Sequence, residues 1–126
     1  MASQYVRDIM TRNLVTAEPE DNVVSALQLM RARGIHSVLI RPPRGGRLWR
    51  IFTYSDFLLA LDSGRDPKTI PVAEYASSVI HTVQADWTLE KARIEMVNNG
   101  VEHLPVKDGS GNIIGMVSIT DILNQY

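Results

Sequence analysis

The chain has 126 residues, enough for one compact domain or two small halves sharing a core, and its formal net charge of −1 supplies no global field that would gather nucleic acid or a membrane surface. Without a single cysteine it excludes disulfides, thiolate zinc sites and a cysteine nucleophile. The opening Met1-Ala2-Ser3-Gln4-Tyr5 lacks the apolar run of a leader and no apolar stretch is long enough to cross a bilayer, so a soluble, cytoplasmic protein is expected, with neither nucleic acid nor membrane among its partners.

In chain order, Val6 to Met10 reads as a short amphipathic turn or helix and Leu14-Val15-Thr16 as a short extended piece. Glu18 to Asn22 is rich in turn and cap formers, so a helix is predicted from Asn22, with Val23, Ala26, Leu27 and Met30 on one face and Gly34 ending it in the left-handed conformation. Ser37-Val38-Leu39-Ile40 is a strand by its β-branched content. Arg41 to Arg47, with two Pro and two Gly, is a loop; its three arginines suit an anion clamp or a partner-docking loop, and a solvated loop is the favoured reading. Leu48 to Thr53 is a second strand, followed by a helix from Ser55-Asp56 with Phe57, Leu58 and Leu61 inside. Asp62 to Pro71 reads as a linker. The order then recurs: His81-Thr82-Val83 extended, a helix from Asp86 or Thr88 with Leu89, Ala92, Met96 and Val97 apolar, Gly100 as its stop, Leu104-Pro105-Val106 a strand with Pro105 expected at a start or edge, a hairpin turn at Asp108 to Asn112, the strand Ile113 to Val117, and a helix from Thr120-Asp121.

This recurrence is the main signal. Thr16, Ala26, Met30 and Gly34 return as Thr82, Ala92, Met96 and Gly100, each 66 residues later, and Thr53-Tyr54-Ser55-Asp56 returns as Ser118-Ile119-Thr120-Asp121, 65 later. A period of this length means two copies of one supersecondary unit. Residues 1–61 are read as the first copy, 62–71 as the linker and 72–126 as the second, related by a pseudo-two-fold axis, with a groove between them lined twice by equivalent residues.

Thr53-x-x-Asp56 and Ser118-x-x-Asp121 each stand where a strand runs into a helix. A carboxylate there suits the two hydroxyls of a ribose, and a hydroxyl with the free N–H groups of a helix start suits phosphate. Read in one copy alone, Ser55, Asp56, Thr120 and Asp121 are better explained as helix caps; the same pattern in both copies favours a ligand. His36 follows Gly34-Ile35 near the same place and suits a phosphate contact. Glu102 takes the matching position in the second copy, where it would repel phosphate and His103 offsets it in part. His36, His81 and His103 have no metal-ligand spacing, and neither a P-loop nor a G-x-G-x-x-G is present.

Val6-Arg7-Asp8-Ile9-Met10-Thr11, Ala26-Leu27-x-Leu29-Met30, Gly100-Val101-Glu102-His103-Leu104-Pro105-Val106 and Gly115 to Leu123 together resemble a tandem pair of CBS domains, the Bateman module. The resemblance implies two β-α-β-β-α repeats of mixed α/β (α+β) class packed through their sheets, with clefts for adenosine-containing ligands: AMP, ADP, ATP (with Mg) or S-adenosylmethionine. It implies ribose contacts from Asp56 and Asp121, ribose or phosphate contacts from Thr53 and Ser118 with Thr120 beside them, and adenine contacts from the backbone around Thr16-Ala17 and Thr82-Val83. Leu39-Ile40 and Pro105-Val106 would be apolar neighbours, and His36 a phosphate contact whose basic character Glu102 replaces in the second copy, with His103 beside it. It further implies a non-catalytic sensor acting on a partner chain and pairing into a homodimer through its helices, to which Phe57, Leu58, Leu61 and Ile122 are candidates. Two departures stand out: Arg50 where the second copy has Gly115, and no proline in Ser37-Val38-Leu39-Ile40. The competing reading is a ligand-free scaffold whose motifs survive as caps.

Overall fold

A computed structural model of the chain describes residues 4–79 and 81–126. In chain order it comprises α1 (Val6–Ile9), β1 (Thr16–Ala17), α2 (Val23–Arg33), β2 (Ser37–Ile40), β3 (Arg50–Thr53), α3 (Tyr54–Asp62), β4 (Ser77–Ser78), β5 (Val83–Gln84), α4 (Leu89–Asn99), β6 (His103–Lys107), β7 (Ile113–Ser118) and α5 (Ile119–Leu123), with 3-10 turns at Pro67–Thr69 and Val72–Glu74. The expected β-α-β-β-α order is present twice, as β1-α2-β2-β3-α3 and β5-α4-β6-β7-α5.

The long helices are fixed by local chemistry. Asn22 Oδ1 accepts the Ser25 N–H at 2.9 Å and Thr88 Oγ1 accepts the Lys91 N–H at 3.2 Å. Gly34 and Gly100 then stop α2 and α4 at φ 63° and 61°, which residues with a Cβ adopt only under strain. In each copy the first strand runs parallel to the second, as a strand–helix–strand crossover allows, and the third is antiparallel to the second.

Two compact units result, and their borders differ from the expected ones. One comprises residues 15–79; the other comprises residues 4–14 together with 81–126. Residues 5–11 and 71–77 are the same piece of the 66-residue repeat. Tyr5 bridges Thr88 as Pro71 bridges Asn22, and Thr11 bridges Met116 as Ser77 pairs with Ile51. Each piece precedes one copy in sequence and closes the sheet of the other. Burial is the physical reason: Val6 and Val72 are both fully buried, each in the core of the unit it closes.

The expected linker is accordingly part of the first unit. Ile70 is fully buried beside Val23, Met30, Val38, Ile40 and Phe52, and its carbonyl accepts the Val23 N–H at 3.0 Å. Ile70→Ala therefore loses about 2–5 kcal/mol in a denaturant melt, whereas a residue of a solvated linker would change the midpoint little.

Three further expectations change. β3 begins at Arg50, two residues after Leu48, which is exposed. Leu58 and Leu61 lie outside: they are 65% and 45% exposed, and Ala60 is the buried residue of α3. Pro105 lies in the middle of β6, itself the central strand of β5-β6-β7. It is tolerated because β5 pairs only with Val106 and Lys107. In the first copy the Leu39 N–H donates to Val15 O at 3.3 Å; its counterpart, Pro105, has no N–H to donate.

Candidate functional site

The two S/T-x-x-D segments fold alike. β3 ends at Thr53 with extended backbone, and the chain turns at once into α3. Thr53 Oγ1 accepts the Asp56 N–H at 3.4 Å, while Asp56 Oδ2 accepts the Thr53 N–H at 2.9 Å and its hydroxyl at 3.2 Å. At the end of β7, Ser118 Oγ accepts the Asp121 N–H at 3.1 Å and Asp121 Oδ2 accepts the Ser118 N–H at 2.8 Å. Both are capping boxes with Asp in the third helical position. Each uses one carboxylate oxygen: among the described residues none donates to Oδ1 of Asp56 or Asp121. Cap and ligand contact are therefore compatible in the same side chain.

The Asp56 carboxyl is half-buried, and desolvation lifts its pKa above the ordinary value against the opposing pull of the Thr53 hydrogen bonds. In the window between those two values the folded state holds a proton that the unfolded chain releases, so Asp56 contributes less to stability as pH rises through it.

The remaining expected residues divide by location. In the first unit Ser37 pairs with Thr53, which brings the preceding His36 to the capped end of the sheet. His36 is exposed, and its ring meets the Tyr54 ring edge-on at 5.6 Å. Tyr54 in turn donates its hydroxyl to Ile35 O at 3.2 Å. In the second unit His103 opens β6 opposite Ser118, and Thr120 is exposed beside Asp121. Thr16 is the partner of Leu39 and Ala17 of Ile40 on the outermost strand. The carbonyls of Val15 and Ala17 accept from Leu39 and Arg41, so by strand alternation the peptide groups of Thr16 point off the sheet edge. Thr82 holds the same place before β5.

The side chains of Ala17, Ile40 and Val83 belong to the cores, which leaves only their backbones available to a ligand. Leu39 and Pro105 are buried too, on the sheet face opposite their core-facing neighbours Val38, Ile40, Leu104 and Val106. Tyr54 was not singled out in the sequence, although it follows the capping Thr53 directly and orders His36. Among the described residues, no group of three or more His, Asp or Glu is arranged to hold a metal ion, and no helix is long and apolar enough to cross a membrane.

Known proteins share this fold. A family model described as CBS domain matches twice, at residues 6–63 and 72–126. Over 124 residues the chain is 31% identical to the uncharacterised protein MK0525 of Methanopyrus kandleri, which covers 98% of this chain and 63% of that one. It spans less than two thirds of the first curated relatives it matches, down to 25% of a Methanococcus vannielii homoserine O-acetyltransferase. Among solved structures, the CBS domain protein NE2398 aligns with a TM-score of 0.84 at 26% identity over 98% of both chains. The CBS domain pair of protein MJ0100, solved with 5′-methylthioadenosine and S-adenosyl-L-methionine, shares the fold at a TM-score of 0.84 and 22% identity, over 98% of this chain and 96% of that one. With two family matches lying on two β-α-β-β-α copies, the chain belongs to the CBS domain family and is a tandem pair of its domains.

Proposed function

We propose that the pair is a non-catalytic sensor that binds an adenosine-containing ligand, AMP, ADP, ATP or S-adenosylmethionine, beside the capped strand–helix junctions and passes the binding state to a partner protein. The observation that carries this reading is the duplicated box itself. Twice, a helix-capping Asp keeps one oxygen to which no described residue donates, next to a hydroxyl and the start of a helix. A ribose diol offers the two donors such an oxygen accepts. The outward peptide groups of Thr16 suit an adenine edge, and His36, steadied by Tyr54, suits a phosphate. The exposed Leu58, Leu59 and Leu61 on α3 favour a homodimer made through helices. Magnesium would enter with ATP, and the cytoplasm is where such nucleotides abound.

Thermal melts against a nucleotide panel test it. A ligand at 100 times its Kd adds roughly 2.7 kcal/mol, a rise on the order of 5–15 °C for a chain of this size. Asp121→Asn keeps an oxygen for the Ser118 N–H while removing the charge, and Asp56→Asn does the same in the other copy. If both variants bind every ligand as the parent does, the ribose assignment is wrong. A scaffold without ligand is the second reading, favoured by the fact that Thr53, Asp56, Ser118 and Asp121 already satisfy one another as caps; no shift with any adenine compound would support it.

A further inference from the structure

The two copies also differ at the sheet ends remote from the capped junctions. In the first, Arg41 follows β2 and its Nε lies 3.6 Å from Glu18 Oε1. In the second, Lys107 and Gln84 stand 66 residues on from Arg41 and Glu18, and they are register partners of β6 and β5. The cation remains and its carboxylate has become a neutral amide. A second cation is added. Arg7 takes the place of Ala73, with its N–H on Ala85 O at 3.0 Å as the Ala73 N–H sits on Pro19 O at 3.2 Å. The Arg7 guanidinium lies 4.4 Å from the centroid of the Tyr5 ring, which limits its freedom.

Arg7, Gln84, Asp86 and Lys107 line an open depression of about 180 Å³. Among the described residues neither Arg7 nor Lys107 is in an ion pair. Asp108, also on the wall, is already engaged: its Oδ1 accepts the N–H groups of Ser110 and Asn112 at 2.9 and 3.0 Å.

We propose that this depression is a carboxylate site that receives an acidic side chain from an extended segment of a partner protein, beside Gln84, and gives Lys107 the negative partner that Glu18 gives Arg41 in the first copy. The carboxylates of Asp86 and Asp108 on its wall disfavour a multiply charged phosphate more than a single carboxylate. The volume suits a glutamate side chain. The proposal does not depend on nucleotide binding at the capped junctions.

Amide chemical shifts of the full chain, titrated with acetyl-tetraglutamate, acetyl-tetraglutamine and inorganic phosphate, provide the test. The expected result is saturable movement of the Ala85, Lys107 and Gly109 amides with tetraglutamate and none with tetraglutamine. Arg7→Gln weakens the tetraglutamate response roughly fivefold, the scale of one partly exposed ion pair. Gln84→Glu, which rebuilds the internal pair of the first copy and leaves both cations in place, weakens it to a similar degree. The proposal is overturned if those amides do not move, if Gln84→Glu binds tetraglutamate as the parent does, or if phosphate binds there more tightly than tetraglutamate.

Discussion

Removing residues 1–11 lowers the thermal midpoint by on the order of 15 °C or more, although the deleted segment precedes the first copy and contains none of its strands. The segment lies in the core of the second unit. Val6 is fully buried and Met10 is 8% exposed, among Val83, Ala92, Leu104 and Val117. Deleting two such side chains forfeits about 4 kcal/mol between transfer and cavity terms. The backbone adds to the loss. The Val6 N–H donates to Trp87 O at 2.9 Å, the Arg7 N–H to Ala85 O at 3.0 Å, and Thr11 and Met116 exchange bonds of 2.8 and 3.0 Å. Truncation would leave Met116 with an open strand edge, a template for association. Val6→Ala alone loses about 1–3 kcal/mol. The measurement is a thermal or urea melt of the truncated chain beside the parent; an unchanged midpoint would show that the segment does not close the second unit in solution.

How much of this was legible in the sequence depends on the range of the interaction. The caps Asn22 and Thr88 and the stops Gly34 and Gly100 act within one helical turn, so α2 and α4 could be read directly. The S/T-x-x-D boxes are equally local, and their duplication made them visible. The repeat was read only from Thr16 onward; extending its 66-residue offset to residues 5–11 and 71–77 makes them equivalent, but does not say which copy each one closes. That is decided by where Val6 and Val72 find an apolar pocket, and a chain-order reading assigns each to its sequence neighbour. Ile70 was lost in the same way: it stands among charged residues and prolines, yet it caps the core under α2. The sequence left Leu58 and Leu61 open between the core and an outer pairing face because a nine-residue helix rich in Leu has apolar residues on every side, and only packing selects the buried one. Pro105 breaks a rule about central strands that holds only where the neighbouring strand extends alongside it, and β5 is two residues long.

The same closing segments account for the exchange of Arg50 for Gly115, and they yield a sharp expected result: Gly115→Arg destabilises the protein by about 3 kcal/mol or more, and Met10→Ala recovers part of that loss. A Cβ built on Gly115 would lie 2.7 Å from Met10 Sδ and 3.0 Å from Thr11 O, closer than packed side chains permit. The first copy meets the problem in the opposite way. Its closing segment carries Ala76 at the position of Met10, and the space admits Arg50, whose guanidinium reaches back to Ala76 O at 3.4 Å. Large over small in one unit and small over large in the other form two complementary pairs at equivalent positions of the repeat. A double-mutant cycle in urea separates this from a general intolerance of arginine in a strand. Met10→Ala alone opens a cavity and loses about 2–5 kcal/mol. If the pair is coupled, the double variant is more stable than the sum of the single losses predicts, by about 1 kcal/mol or more. Strict additivity would mean that the methionine is not what requires Gly115, which leaves the Thr11 carbonyl 3.0 Å from the added Cβ as the obstacle.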